Sequence, residues 1–197
     1  MRRAAGAALL AMLALAGCGS SQPKIAHPAD TTPQVGGAML TSTPLAPPIS
    51  LHDDQGHVVH LSDFRGKWVA VAFLYTHCPD VCPLIAQNLN AALTKAPDLR
   101  VVAVSVDPKG DTPAAVRAFS RSHELVERFH YLIGTRSQLQ PVWHAYHVAA
   151  APGPAKTVEH SAFELLIDPK GHERAYYDAR VRAADVLHDL KQLRGTV

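Results

Sequence analysis

Two cysteines four positions apart, Cys78 and Cys82, come shortly after the apolar run 68–75 and are each followed by a proline. The run predicts a strand covered on both faces, and Cys78-Pro79-Asp80-Val81-Cys82-Pro83 predicts a turn into a helix, with Pro83 in the first turn where a missing N–H costs nothing. One helical turn apart, two sulfurs lie on the same side. They can close to a disulfide or grip one metal ion together. The positive end of the helix dipole favours the thiolate form there. Two buried cysteines can also act merely as small hydrophobes, but the polar Thr76, His77 and Asp80 beside them favour a redox or soft-metal site.

The third cysteine has a different setting. Arg2 and Arg3, the apolar stretch 4–15 and the small residues after it have the order of a secretion signal, and the stretch is too short to span a bilayer. Residues 1–17 are therefore set aside from the fold. Leu15-Ala16-Gly17-Cys18 resembles the bacterial lipobox, which implies lipidation of Cys18 and attachment to a bacterial membrane by acyl chains, in the periplasm or on the outer face of the cytoplasmic membrane. An ordinary signal peptide with an incidental Cys18 is the plainer alternative. With Cys18 assigned, Cys78 and Cys82 are the remaining pair of the three cysteines, in a compartment where disulfides persist. Loss of Arg2 and Arg3 brings the 19 basic residues to 17, equal to the 17 acidic ones. That balance, without a compact Lys/Arg block, gives no support to a nucleic-acid partner.

Six prolines and weak apolar periodicity across 19–48 make residues 18–48 a lipidated cysteine and a flexible tether. Residues 49–197 are long enough for one domain with a sizeable core. Within them, 49–51 and 58–61 flank Asp53-Asp54-Gln55-Gly56 and predict a hairpin. Helix-like spacing over 82–95, with Leu84, Ile85, Leu89 and Leu93 set to bury one face, a buried strand over 99–106, Thr112 and Pro113 opening a helix to about 122, a short strand over 130–133 and a helix over 137–146 follow. A loop with Ala151-Pro152-Gly153-Pro154 leads to a strand over 161–168, a further strand over 173–177 and an amphipathic helix over 182–193. Strands alternating with helices predict an α/β domain with a central mixed sheet flanked by helices and an N-terminal hairpin.

A dithiol at the start of the first major helix of such a domain resembles the thioredoxin-like fold. Three segments narrow the resemblance: 73–83 around Cys78 and Cys82, Val104-Ser105-Val106-Asp107-Pro108-Lys109-Gly110-Asp111-Thr112-Pro113, and Val158-Glu159-His160-Ser161 before Leu165-Leu166-Ile167-Asp168. In sequence and in order these are similar to the Sco/SenC family, over about residues 45–195. The resemblance implies a membrane-tethered copper protein that delivers copper to the CuA site of cytochrome c oxidase during assembly, a metallochaperone and not an enzyme. It also implies that the metal is held by Cys78, Cys82 and His160, and that the copper-bearing oxidase subunit is the partner; a second periplasmic copper chaperone is compatible with it. The residue types agree, since thiolates suit Cu(I) and an added imidazole tolerates Cu(II). Where the family often has an aromatic after its His-Ser, this chain has Glu164-Leu165, with Phe163 next to them.

Two rival functions use the same pair. A thiol-disulfide oxidoreductase that reduces the oxidase subunit's cysteines needs Cys78 and Cys82 as its redox pair but not His160, and a copper or redox sensor differs only in its partner. A peroxiredoxin-like peroxidase lacks its Thr-x-x-Cys setting here. Of the other polar residues, His77 and Asp80 adjoin the pair, Asp107 and Asp111 read as loop and cap residues, His144 and His147 as exposed histidines, and His52, His57 and His60 as weak surface metal binders at most.

Overall fold

The computed structural model describes residues 36–153 and 157–196; the signal segment, Cys18 and most of the tether lie outside them. In chain order the elements are β1 (Ala38–Met39), β2 (Ser50–His52), β3 (Val58–His60), a 3-10 turn (Leu61–Phe64), β4 (Trp68–Leu74), α1 (Val81–Lys95), β5 (Leu99–Ser105), α2 (Pro113–Ser122), β6 (Phe129–Leu132), α3 (Arg136–Ala145), β7 (Ala150–Pro152), β8 (Val158–His160), β9 (Phe163–Ile167), β10 (Glu173–Asp178) and α4 (Ala183–Leu193).

Six strands form one mixed sheet in the order β1-β10-β9-β4-β5-β6. β4, β5 and β6 run parallel, and β9, β10 and β1 are antiparallel to their neighbours. All seven residues of β4 are buried, so the sheet is covered on both faces at its centre, as an unbroken apolar run requires. Helices α1 and α2 connect parallel strands and lie on one face. There Asn88 accepts from the Ala183 N–H of α4 at 3.4 Å, and Asn90 accepts from the Val126 N–H beyond α2 at 3.0 Å. Helix α3 covers the opposite face: the Trp143 indole N–H donates to the Ser105 carbonyl at 2.9 Å, and the Tyr146 ring lies 5.4 Å from Phe73.

Helix starts follow local chemistry. Thr112 Oγ1 accepts from the Ala115 N–H at 3.2 Å with Pro113 at the first helical position, and Thr135 and Gln138 form a capping box at α3. The expected hairpin is β2–β3, in register from Ser50–His60 to His52–Val58.

Two departures from the sequence reading matter. Residues 36–48, read as the end of the tether, include β1, which pairs with β10, and Leu45, which bridges to His172. The loop expected before the last buried strand contains a second hairpin, β7–β8, with Ala150 opposite His160. His160 is therefore the last residue of a strand of its own, and β9 begins only at Phe163.

Candidate metal centre

β4 ends at Leu74, and the chain turns through Tyr75, Thr76 and His77 to Cys78; the Cys78 N–H donates back to the Tyr75 carbonyl at 3.3 Å. Asp80 occupies the N-cap position of α1, yet its carboxylate makes no cap hydrogen bond and is exposed. Cys82 sits in the first helical turn with no solvent exposure, while Cys78 keeps 9%. Both are free thiols. The Cys82 N–H, one of the helix's unpaired first-turn donors, points to Cys78 Sγ at 3.4 Å.

These contacts make the two sulfurs unequal. Cys78 is drawn down to about 5, first by hydrogen bonding from the Cys82 thiol and then by the backbone N–H groups of Asp80 and Cys82 and the Tyr75 hydroxyl, against the cost of burial. Cys82 is pushed up, because it is the thiol that donates to Cys78, because it is buried, and because Cys78 and Asp111 both place negative charge near it. The helix dipole alone predicts raised thiolate character for the pair. The structure concentrates that charge on Cys78, since one buried pair cannot hold two negative charges cheaply. Alkylation of the reduced protein at about pH 6 should therefore label Cys78 and spare Cys82, as read by peptide mass spectrometry; equal labelling would contradict this asymmetry.

His160 enters from β8. Its Nδ1 is 3.0 Å from the Ser161 carbonyl oxygen and its Nε2 is 3.9 Å from Cys82 Sγ. A carbonyl only accepts, so the hydrogen sits on Nδ1 and the Nε2 lone pair faces the dithiol. Burial lowers the His160 pKa, outweighing its bond to Ser161 and the nearby Cys78 charge, and keeps the imidazole neutral. Two sulfurs and one free imidazole nitrogen form a donor set suited to Cu(I), and the imidazole extends that set to Cu(II). Among the described residues no three His, Cys, Asp or Glu side chains are already drawn tightly around one point. The thiols and the histidine are thus neighbours that a soft ion would have to draw together.

Asp111 differs from its reading as a cap: Thr112 caps α2, and Asp111 is buried beneath the dithiol turn. Its Oδ1 accepts from the Thr76 N–H at 2.8 Å and the Thr76 hydroxyl at 2.7 Å, and its Oδ2 from Ser105 at 2.6 Å and Tyr131 at 3.2 Å. Burial raises its pKa while these four donors oppose the rise. One carboxylate thereby clamps the cysteine turn to the ends of β5 and β6. Gly110 lets this loop approach, since a Cβ there would run into Asp107 and crowd His77. His77 hydrogen-bonds Thr76 and is exposed. His144 and His147 are exposed too, their neighbours Trp143 and Tyr146 being the buried pair. His57 and His60 lie at the surface and His52 is half-buried.

A mixed sheet with a dithiol at the start of its first long helix defines a thioredoxin-like protein, here with a histidine aimed at the sulfurs. The SCO1/SenC family pattern matches residues 38–195, and the chain belongs to that family. It is 31% identical over 153 residues to the human mitochondrial protein SCO1 homolog, across 72% of this chain and 50% of that one, so it spans half the length of that relative. It is 30% identical over 188 residues to SenC of Rhodobacter capsulatus, across 90% of this chain and 83% of that one. The crystal structure of Arabidopsis thaliana ScoI with copper bound superposes with a TM-score of 0.69 at 28% identity, covering 77% of this chain and 99% of that one.

Proposed function

We propose that this protein binds copper through Cys78, Cys82 and His160 and passes it to the copper-bearing subunit of cytochrome c oxidase during assembly. The observation that carries the reading is the His160 nitrogen lone pair held toward Cys82 Sγ, because a reductase has no use for it. Copper bound in a solved relative of the same fold supports the choice of ion. A site of two sulfurs and a nitrogen leaves room for an incoming thiolate, so copper can move by ligand exchange without being released. Loading displaces the Cys82 proton, and binding therefore weakens as pH falls. Attachment outside the cytoplasm through a lipid on Cys18 belongs to the same proposal and rests on the lipobox-like sequence.

The depressed Cys78 thiol favours one second reading, reduction of a disulfide on the oxidase subunit. His160→Ala separates the two. It keeps both thiols, so a reductase variant still matures the oxidase in cells at limiting copper, whereas a copper carrier loses its third ligand and most of that maturation, at equal protein level. Full maturation by His160→Ala would put the reductase first.

A further inference from the structure

Leu84 is out of place on α1. Helix spacing sets it with Ile85, Leu89 and Leu93, yet those three are fully buried and Leu84 is 54% exposed. The helix turns Cys82, Ile85, Ala86 and Leu89 inward, and Leu84 lies about 100° around from Ile85, on the outward side. Further along that side the exposed residues are polar or small, at Gln87 and Ala91. Among the described residues the other exposed large apolar side chains, Met39, Leu45, Val58 and Tyr176, are on β1 and the segment after it, β3 and β10. Leu84 is the one on the helix that carries Cys82.

Its neighbours extend it into a patch. Pro79 is exposed and Val81 and Pro83 are half-buried, so with Leu84 four apolar residues flank the two sulfurs at the start of α1. Prolines have little side-chain freedom to lose and no N–H to desolvate when such a surface is covered. Asp80 adds one exposed carboxylate between the cysteines. Toward α4 the rim is polar with its charges matched. Asn88 donates to the Leu84 carbonyl at 3.0 Å and accepts from the Ala183 N–H, and Arg180 and Arg182 pair with Asp178 and Asp185. An apolar centre inside a polar rim is the anatomy of a protein contact.

We propose that Pro79, Val81, Pro83 and Leu84 form the docking surface for the protein that exchanges copper with the dithiol, a domain that offers a cysteine thiolate from an apolar surface of its own, with Leu84 as the anchoring contact. The identity of that partner rests on the copper reading above. Cys82 has no solvent exposure and Cys78 only 9%, so a sulfur carried on a protein reaches a metal held there only when its carrier is pressed against the residues that flank the thiols. Docking and transfer therefore use one face.

The test mixes the full chain, in detergent, with the purified soluble domain of the oxidase's copper-bearing subunit, its cysteines reduced. Calorimetry on the metal-free protein reads docking, and stopped-flow mixing of the Cu(I)-loaded form reads transfer. Leu84→Gln keeps helix propensity and side-chain length, and it should weaken docking and slow second-order transfer about tenfold, as expected for losing burial of the exposed half of a leucine. Leu84→Met should keep both close to wild type. Neither variant should change Cu(I) affinity against a chelator, nor the rate at which glutathione, which needs no docking surface, removes the copper. Undiminished docking and transfer in Leu84→Gln would overturn the proposal, as would a wild type that does not dock the domain at all. Loss of Cu(I) affinity in Leu84→Gln would also overturn it, by making Leu84 a structural support of the site. A dimer of this chain that Leu84→Gln dissociates would assign the patch to a second copy and overturn it too. A wild type that docks the domain more tightly than Leu84→Gln but takes up no copper would uphold the surface and defeat the copper reading instead.

Discussion

Cys78→Ser and Cys82→Ser should each abolish the proposed tight Cu(I) binding by the reduced protein, with affinity falling roughly a thousandfold or more, about 4 kcal/mol. A hydroxyl is a hard, weakly acidic donor, so either substitution leaves Cu(I) with one soft ligand and a distant imidazole. The two changes act on different halves of the asymmetric pair. Cys78→Ser removes the sulfur that carries the charge and that gathers the N–H groups of Asp80 and Cys82. Cys82→Ser removes the sulfur that lies 3.9 Å from His160 Nε2 and also the thiol that stabilises Cys78 as an anion, so the remaining Cys78 should titrate higher than in the wild type. The measurement is competition for Cu(I) against a chelator of known affinity under anaerobic, reducing conditions. Circular dichroism confirms that a hydroxyl at the fully buried position of Cys82 has not unfolded the chain. Wild-type affinity in either variant would show that the metal lies elsewhere. The disulfide form of the wild type should bind poorly for the same reason: its sulfurs have no thiolate to offer.

Those two cysteines are legible in sequence because everything that places them is local: an apolar run of strand length, a proline in the first helical turn and inward spacing of Ile85, Leu89 and Leu93 along the helix, although Leu84, expected on the same face, is exposed. Thr112 and Pro113 fixed the start of α2 by the same kind of nearest-neighbour chemistry. Residues whose position depends on distant partners were harder to read. Asp111 looks like a loop acid until Thr76, 35 residues away, donates to it twice. The β7–β8 hairpin has no alternating apolar signal and contains Pro152, and it exists because Val158 to His160 offer it a register. β1 was hidden among tether-like residues for the same reason, its two residues being ordered by β10. His160 stands out in the sequence only through family resemblance, and the feature that suits it to the proposed role, Nδ1 held by the Ser161 carbonyl, is a matter of geometry that no spacing encodes.

Glu164→Met should stabilise the protein, by about 3 kcal/mol at pH 7, and flatten its stability between mildly acidic and mildly alkaline pH. Glu164 lies on β9 opposite Ala72 of β4 and Tyr177 of β10, on the face covered by α1 and α4, with no solvent exposure. Neither of its carboxyl oxygens has a hydrogen-bond partner among the described residues. Burial, and secondarily the charge of Asp178, push its pKa up to about 9. In the unfolded chain the same carboxyl ionises near 4.5. The native state therefore holds a proton that the unfolded state has released, and stability falls as pH rises between those two values, by about 1.4 kcal/mol per unit at most. Below the lower value both states are protonated and the penalty vanishes. Methionine fills a similar volume with an unbranched apolar chain and needs no partner, so it removes both the proton linkage and the cost of an unsatisfied buried carboxyl. Urea unfolding of wild type and Glu164→Met at pH 5, 7 and 9 reads the difference directly, and it should widen from the first to the last. A gap that is constant across the series would mean that Glu164 ionises alike in both states, and a destabilised Glu164→Met would mean that the carboxyl has a partner after all.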